Sequence, residues 1–308
     1  MSRKTVSGII LTLLFIGMLT FPFNIQPAIS TWTGGTIYIR ADGSIDPPDA
    51  PITTYDYITY TLTGNITSSA DGIVVERDNI VIDGAGYTIT GINPPPYSNG
   101  AGIVLHKRSN VIIRNINIKY FKHGISLGYS SNNTILRSNI TANYHFGIFL
   151  GCSSDNSISR NNIVNIYYIG IGVYNFSNHN KIIENNIMSN GQGIHLVASS
   201  NNSIFENELS NNLISISFFC HSNYNDISGN KIVNNHEGIV LDDHCLSNSI
   251  NGNNIIANDN GVRLHYGSDY NNIFGNDMTN NTVGVYLSLS SNNFHHNNFI
   301  QNTWQVYD

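Results

Sequence analysis

The sequence predicts an all-β protein folded as a parallel β-helix, a solenoid of about ten stacked turns. Three observations predict it. Asn supplies 48 of the 308 residues while charged residues reach only 11%, a composition hostile to long helices. A Gly followed by Ile or Val recurs every 22 or 23 residues, at Gly102, Gly124, Gly147, Gly170, Gly193, Gly238, Gly261 and Gly284, with Ser215 filling the one gap. Hydrophobic residues, 41% of the chain, hold fixed offsets from these starts, which excludes an extended disordered chain.

The elements follow in chain order. Arg3 and Lys4 precede a mostly apolar run from Ile9 to Phe21, and Ala28-Ile29-Ser30 offers small residues for a signal peptidase. Residues 1–30 therefore read as a signal peptide, with an uncleaved anchor as the alternative. Thr12, Gly17 and Thr20 interrupt the run too often for a membrane span, so any membrane contact is expected through this segment alone. The remainder is expected to be exported, to the cell surface or outside the cell. Without Arg3 and Lys4 the chain keeps 12 basic against 20 acidic residues, a formal charge of −8. With no basic patch, nucleic acid is excluded as a partner. Residues 31–71 read as an N-terminal cap and lead-in, since Pro47, Pro48 and Pro51 bar a regular central strand. The repeat domain spans 72–308. The longer spacing between Gly72 and Gly102, with Pro94-Pro95-Pro96 inside it, marks a projecting loop. A 23-residue period would begin another turn at position 307, so 302–308 is expected to fold over the end unless the sequence is part of something longer.

Within each turn the start is followed by an apolar-x-apolar strand, as in Ile103/Leu105, Ile148/Leu150, Ile194/Leu196 and Val285/Leu287. Two further apolar columns follow, five residues apart, one through Val111, Ile158, Ile227 and Phe294, the other through Ile116, Ile163, Ile232 and Phe299. Three strands this short need stacked neighbours, which pair in parallel about 4.8 Å apart. A propeller blade would need about 40–50 residues. Asn forms three files: Asn133 to Asn292, Asn161 to Asn297, and Asn143 to Asn302, the last broken at Ile166. Asn is expected at the corners because it tolerates left-handed backbone, and stacked amides can bond from turn to turn. Sequons stand at Asn65, Asn132, Asn139, Asn175, Asn201 and Asn280, but this composition produces several without selection for glycosylation.

Repeats such as Gly193-Ile194-His195-Leu196 running through Ser199-Ser200-Asn201-Asn202 to Ile204 resemble the right-handed parallel β-helices of the pectin-lyase-like superfamily. The nearest likeness is to NosD-type, carbohydrate-binding and sugar-hydrolase (CASH) repeats. The segment Val75 to Ile89 is similar to their entry rung, and the resemblance covers roughly 72–308. It implies a right-handed coil. It is weak for chemistry, because such repeats serve lyases, hydrolases, epimerases, binders and scaffolds.

Function must then sit on the outward side chains of the first strand. Reading up the turns, most of that face is bland, but three consecutive turns carry Phe219-Cys220-His221, Asp242-Asp243-His244-Cys245 and His265-Tyr266. In one reading Asp242, Asp243 and His265 are acid/base groups, or Asp242 and Asp243 are calcium ligands, while Phe219, Tyr266, Tyr286 and Tyr174 stack on the sugar rings of a polysaccharide or cell-surface glycan. The adjacent aspartates are similar to the pair of the polygalacturonase branch. The Asn-Thr-Asp, Gly-His-Gly and Arg-Ile-Lys motifs of that branch are absent, so lyase or hydrolase activity is disfavoured against plain binding. In a second reading His221, His244, Cys220 and Cys245 hold copper or zinc, and the NosD likeness implies a copper-accessory role. Cys220 and Cys245 also stand one turn plus two residues apart, a spacing compatible with a disulfide. A third reading makes the chain an envelope scaffold or adhesin with no ligand. Glu237, directly before a strand, shows no partner in the sequence.

Overall fold

The computed structural model describes residues 31–308; the expected signal peptide, 1–30, lies outside the described residues. Among the described residues there is no helix, and the strands form three sheets of 12, 13 and 12 strands. Every pairing within them is parallel except Ile37–Ile39 with Ile45–Asp46 and Ile52–Thr53 with Thr59–Leu62. The coil is a right-handed parallel β-helix of about eleven turns with spacings near 23 residues.

The expected periodicity is the register. Ile103, Ile125, Ile148, Ile171, Ile194, Ile216, Ile239 and Val262 pair in sequence up the 13-stranded sheet, and all are fully buried. The columns through Ile158 and Ile163 run up the other two sheets in the same way. Like stacks on like, so one β-branched side chain meets the same pleated surface at each level. Each fully buried Ile or Leu contributes roughly 1.5–3 kcal/mol. The repeated Gly answers a different constraint. A Cβ on Gly147 would sit 2.6 Å from the carbonyl oxygen of Gly170, and one on Gly238 would sit 2.3 Å from that of Gly261. Successive strand starts approach too closely for a side chain.

Segment 31–71, expected to be a cap, adds strands to all three sheets: Thr31–Trp32 and Asn65–Ser68 to one, Ile37–Ile39 to the 13-stranded sheet and Thr59–Leu62 to the third. The prolines lie in its connections, not in these strands, which accounts for the extra turn. At the other end Trp304–Tyr307 is a strand in parallel with Val283–Leu287, pairing Val283 with Trp304. The expected start at 307 is therefore corrected. The corner between Leu287 and Asn292 is short, so Asn292 stands 21 residues after Asn271 and the strand starts early.

The asparagine files form ladders, but the expected reason for Asn is corrected. The left-handed residue at each corner is the one before the ladder Asn: Asp155 before Asn156, Arg160 before Asn161, Ser189 before Asn190. These positions accept Asp, Arg, Glu, Gln, His, Tyr, Ala, Ser and Gly, with Asn itself at Asn132, Asn201, Asn211, Asn234 and Asn280. The ladder Asn supplies its amide instead. Asn230 Oδ1 accepts from both the backbone N–H and the Nδ2 of Asn207, at 3.0 Å each. Its own Nδ2 donates to Asn253 Oδ1 at 3.0 Å and to the Ile204 carbonyl at 2.8 Å. A fourth file is serine. Ser153, Ser177, Ser199 and Ser222 lie three residues before a ladder Asn, fully buried, and the Ser153 N–H donates to Ser177 Oγ at 2.8 Å.

Replacing Asn230 with Ala leaves the Asn207 N–H without its acceptor and the Ile204 carbonyl without the Asn230 donor, in a buried corner. The variant is expected to lose on the order of 3 kcal/mol, read as a lower urea midpoint. Asn254→Ala, on an exposed strand position of the next turn, should change the midpoint little.

Candidate functional site

The 13-stranded sheet differs from its neighbours in strand length. Its strands run to six residues, as in Phe146–Gly151 and Ile214–Phe219, whereas the other two sheets repeat three-residue strands. Six residues present three outward positions per turn, not two. The column missed in the sequence is the residue before each Gly. It carries His123, Phe146, Gln192, Glu237 and Trp304. Alternation from the two inward positions would turn this residue inward; the ladder skips the Gly, pairing Ala101 with His123 and then Ile103 with Ile125, and that break turns it outward.

The structure brings part of the expected set together. The backbone continues the ladder through Asp242 N to the Phe218 carbonyl and His265 N to the Leu241 carbonyl, at 3.0 Å each, so Phe219, Asp242 and His265 rise in one column. The Asp242 carboxylate is buried; its Oδ1 accepts from the Asp243 N–H at 2.8 Å and lies 3.9 Å from His265 Nδ1. Tyr266 stands at the corner, half exposed, with its ring 3.8 Å from that of His265. Tyr286 is in the neighbouring column, stacked on Tyr307 at 5.3 Å.

Asp243 does not join Asp242. At its left-handed corner it turns to Cys220 and to His244, whose Nδ1 lies 3.2 Å from Asp243 Oδ1. The hydrogen bond with the Cys220 thiol, first, and that with His244 hold its carboxyl below the usual range, while the same contact with Asp243 raises the Cys220 thiol. The expected pair of acid/base carboxylates is divided between the face and the corner.

The expected metal set also divides. His221 and His244 stack in parallel, 5.5 Å between centroids and 10° between planes. Cys245, however, takes a serine's place in the fourth ladder. It is fully buried, its Sγ donates to the Asp242 carbonyl at 3.1 Å, and burial pushes its thiol up to about 12. Cys152, Cys220 and Cys245 are all free thiols, so the expected disulfide is not formed. Cys220 faces outward at a corner and Cys245 inward on the next turn. Among the described residues no group of three or more His, Cys, Asp or Glu is arranged to hold a metal ion. The only described methionines are Met188 and Met278, the latter fully buried. The donor set does not fit copper.

Glu237, without an evident partner in the sequence, has two. Its Oε1 accepts from Asn260 Nδ2 at 3.2 Å and lies 3.4 Å from an Arg263 guanidinium nitrogen. Its carboxylate is 7% exposed, and Glu237 Oε2 and Arg263 Nε are buried without hydrogen-bond partners. Above them Asn260, Arg263, His265, Tyr286, Trp304 and Tyr307 line a cavity of about 390 Å³.

Lower on the same face lies a belt of rings. Phe146, Phe149 and Tyr174 pack together with centroids 4.8–5.8 Å apart, over the bare backbones of Gly151 and Gly172, where a Cβ would strike them. His123 stacks on Phe146 at 5.3 Å and His195 meets Tyr174 at 5.6 Å. Ser217 Oγ donates to Gln192 Oε1 at 2.9 Å, so it accepts from His195 Nδ1–H at 2.7 Å and leaves His195 Nε2 as the free acceptor. Burial lowers both histidines to about 4.

Comparison with known proteins follows this geometry. A family model described as periplasmic copper-binding protein (NosD) matches residues 30–219 and 217–308. No curated protein sequence matches. Among solved structures, a variant of the periplasmic alginate epimerase AlgG superposes with a TM-score of 0.64 at 14% identity, covering 87% of this chain and 84% of that one. The Azotobacter vinelandii mannuronan C-5 epimerase AlgE6 A-module gives 0.63 at 15%, covering 90% and 88%. A DFA-IIIase variant from Arthrobacter chlorophenolicus A6, in complex with DFA-III, gives 0.59 at 14%, covering 73% and 61%. At these identities the likeness is one of fold.

Two outcomes are expected. His123 and His195 bind protons more weakly folded, near pH 4, than unfolded, near 6.5. The unfolded chain therefore takes up more protons in that window. The stability due to each neutral ring is complete above pH 6.5 and falls as pH drops towards 4, by roughly 3 kcal/mol per histidine. Urea titrations between pH 7 and 4 should show this loss, and His195→Gln should flatten it. In thiol labelling of the folded protein, Cys220 and Cys152 should react while Cys245 reacts only after unfolding.

Proposed function

This chain belongs to the family of periplasmic copper-binding proteins (NosD), and from that premise we propose that it is an extracytoplasmic β-helix protein that binds polysaccharide or glycan along the outward face of its 13-stranded sheet. The observation that carries the reading is the placement of rings and hydrogen-bonding groups on that face. Phe219, Asp242 and His265 rise in one column at successive turns, with Tyr286 in the next column and Tyr266 at the bordering corner. Turns repeat at about 4.8 Å, so the face is a regular ladder of apolar platforms and polar contacts on a rigid support. An extended sugar chain has the matching character: flat C–H faces alternating with equatorial hydroxyls.

The reading is one of binding, not turnover. Asp242 and Asp243 diverge, so they do not form the opposed pair that paired-carboxylate hydrolysis needs. The copper in the family's description finds no matching donor set among the described residues, so no metal enters the reading. The similar solved structures named as alginate and mannuronan epimerases support a glycan as the ligand class.

Affinity electrophoresis through gels containing single polysaccharides tests the proposal. At least one should retard the protein, and Phe219→Ala should restore mobility with a tenfold or greater loss of affinity. Unchanged mobility in every gel removes the reading.

A further inference from the structure

The cavity lined by Arg263, His265, Tyr286, Trp304 and Tyr307 has a floor whose chemistry selects among glycans. Its volume, about 390 Å³, is in the range of small-molecule sites. Its walls are aromatic: Tyr286 and Tyr307 lie parallel at 5.3 Å, and Trp304 stands across Tyr307 at 83°. Such rings offer apolar surface with a polar handle. Arg263 and Asn260 line the cavity, and both contact Oε1 of Glu237, which lies behind them. In the Glu237–Arg263 pair one acceptor, Glu237 Oε2, and one donor, Arg263 Nε, are buried without partners.

Arg263 thus meets the cavity with its charge already opposed by Glu237. A ligand carboxylate accepts from Arg263 but meets Glu237 as a like charge, and Asp242 stands behind His265. An ammonium group suits Glu237 and is repelled by Arg263. A hydroxyl can accept from Arg263 without bringing a charge. Charge on the wider face argues the same way. Along its three outward columns from Ala101 to Tyr307 the only charged side chains are Glu237, Asp242 and Arg263, one cation against two carboxylates. A polyanionic chain would find no line of cations to follow, and the protein carries a formal charge of −6.

Resting on the glycan reading above, we propose that this cavity is a subsite for an uncharged sugar unit, held by hydroxyl contacts to Arg263 and Asn260 and by packing on Tyr286 and Trp304, and that it discriminates against uronates.

Isothermal titration of the full chain at low salt tests it, with neutral oligosaccharides from a glucan, a mannan and a galactan against oligouronates of the same length. At least one neutral series should bind, with every oligouronate tenfold or more weaker. Tyr286→Ala and Trp304→Ala should each weaken neutral binding about tenfold, with melting curves verifying the fold of each variant. Trp304 is more than half exposed, so its replacement leaves the core intact. Oligouronates binding as tightly as neutral chains would overturn the selectivity while leaving the glycan reading standing. Neutral binding unchanged in both variants would overturn the assignment to this cavity. No binding by any oligosaccharide, neutral or acidic, would remove the glycan reading and this inference with it.

Discussion

The structure depends on one arrangement: a residue in left-handed backbone followed by an asparagine whose amide reaches the next turn. A left-handed L-residue costs about 1–2 kcal/mol, and each turn of this solenoid spends several such residues to close on itself. What offsets them is cooperative. Asn161, Asn185, Asn207, Asn230, Asn253 and Asn276 form one unbroken file in which every Oδ1 after that of Asn161 receives two hydrogen bonds from the turn before. Buried amides satisfied on all sides rigidify a core, and amides half satisfied would undo it. The corner is thus stable only when it is repeated, which is why the sequence repeats.

That arrangement also decides where chemistry can reside. Isoleucine columns fill the inside, and glycine marks the strand starts where backbones touch. Asparagine and serine occupy the buried side of the corners. What remains free is the outer surface, and the long strands of the 13-stranded sheet make it widest there. Cys245 illustrates how strictly positions are assigned. A thiol that the sequence offers as a metal ligand is an inward corner residue doing a serine's work, whereas Cys220, one turn below and two places earlier in the corner, points outward.

Most of the fold was legible in the sequence because its signals are additive over many turns. One isoleucine or asparagine says little; nine at a fixed offset leave one architecture. The site was legible only in part, because it is built from residues that each occur once. The column of Phe219, Asp242 and His265 followed from the period. The parting of Asp242 and Asp243 did not, since it depends on where the strand ends and the left-handed corner begins, a boundary of one residue. Glu237 was passed over for a related reason. Its partner Arg263 is 26 residues ahead, one turn plus three, and lies in a different outward column. Diagonal contacts across a sheet do not announce themselves as a period. Strands in the cap segment were not legible, because prolines in the connections masked stretches that carry no repeat motif.

The amide ladders have one more property. In each file the side-chain carbonyl points toward the N-terminal end of the coil and receives its hydrogen bonds from that side, as Asn156 to Asn180 and Asn190 to Asn212 both show. Nothing in a file alternates. Dipoles that share a direction add, so the columns of amides between Asn133 and Asn302 act as parallel aligned rods along that part of the coil. The solenoid has an electrical sense of direction along its axis, and its two ends, however alike in shape, meet a charged neighbour differently.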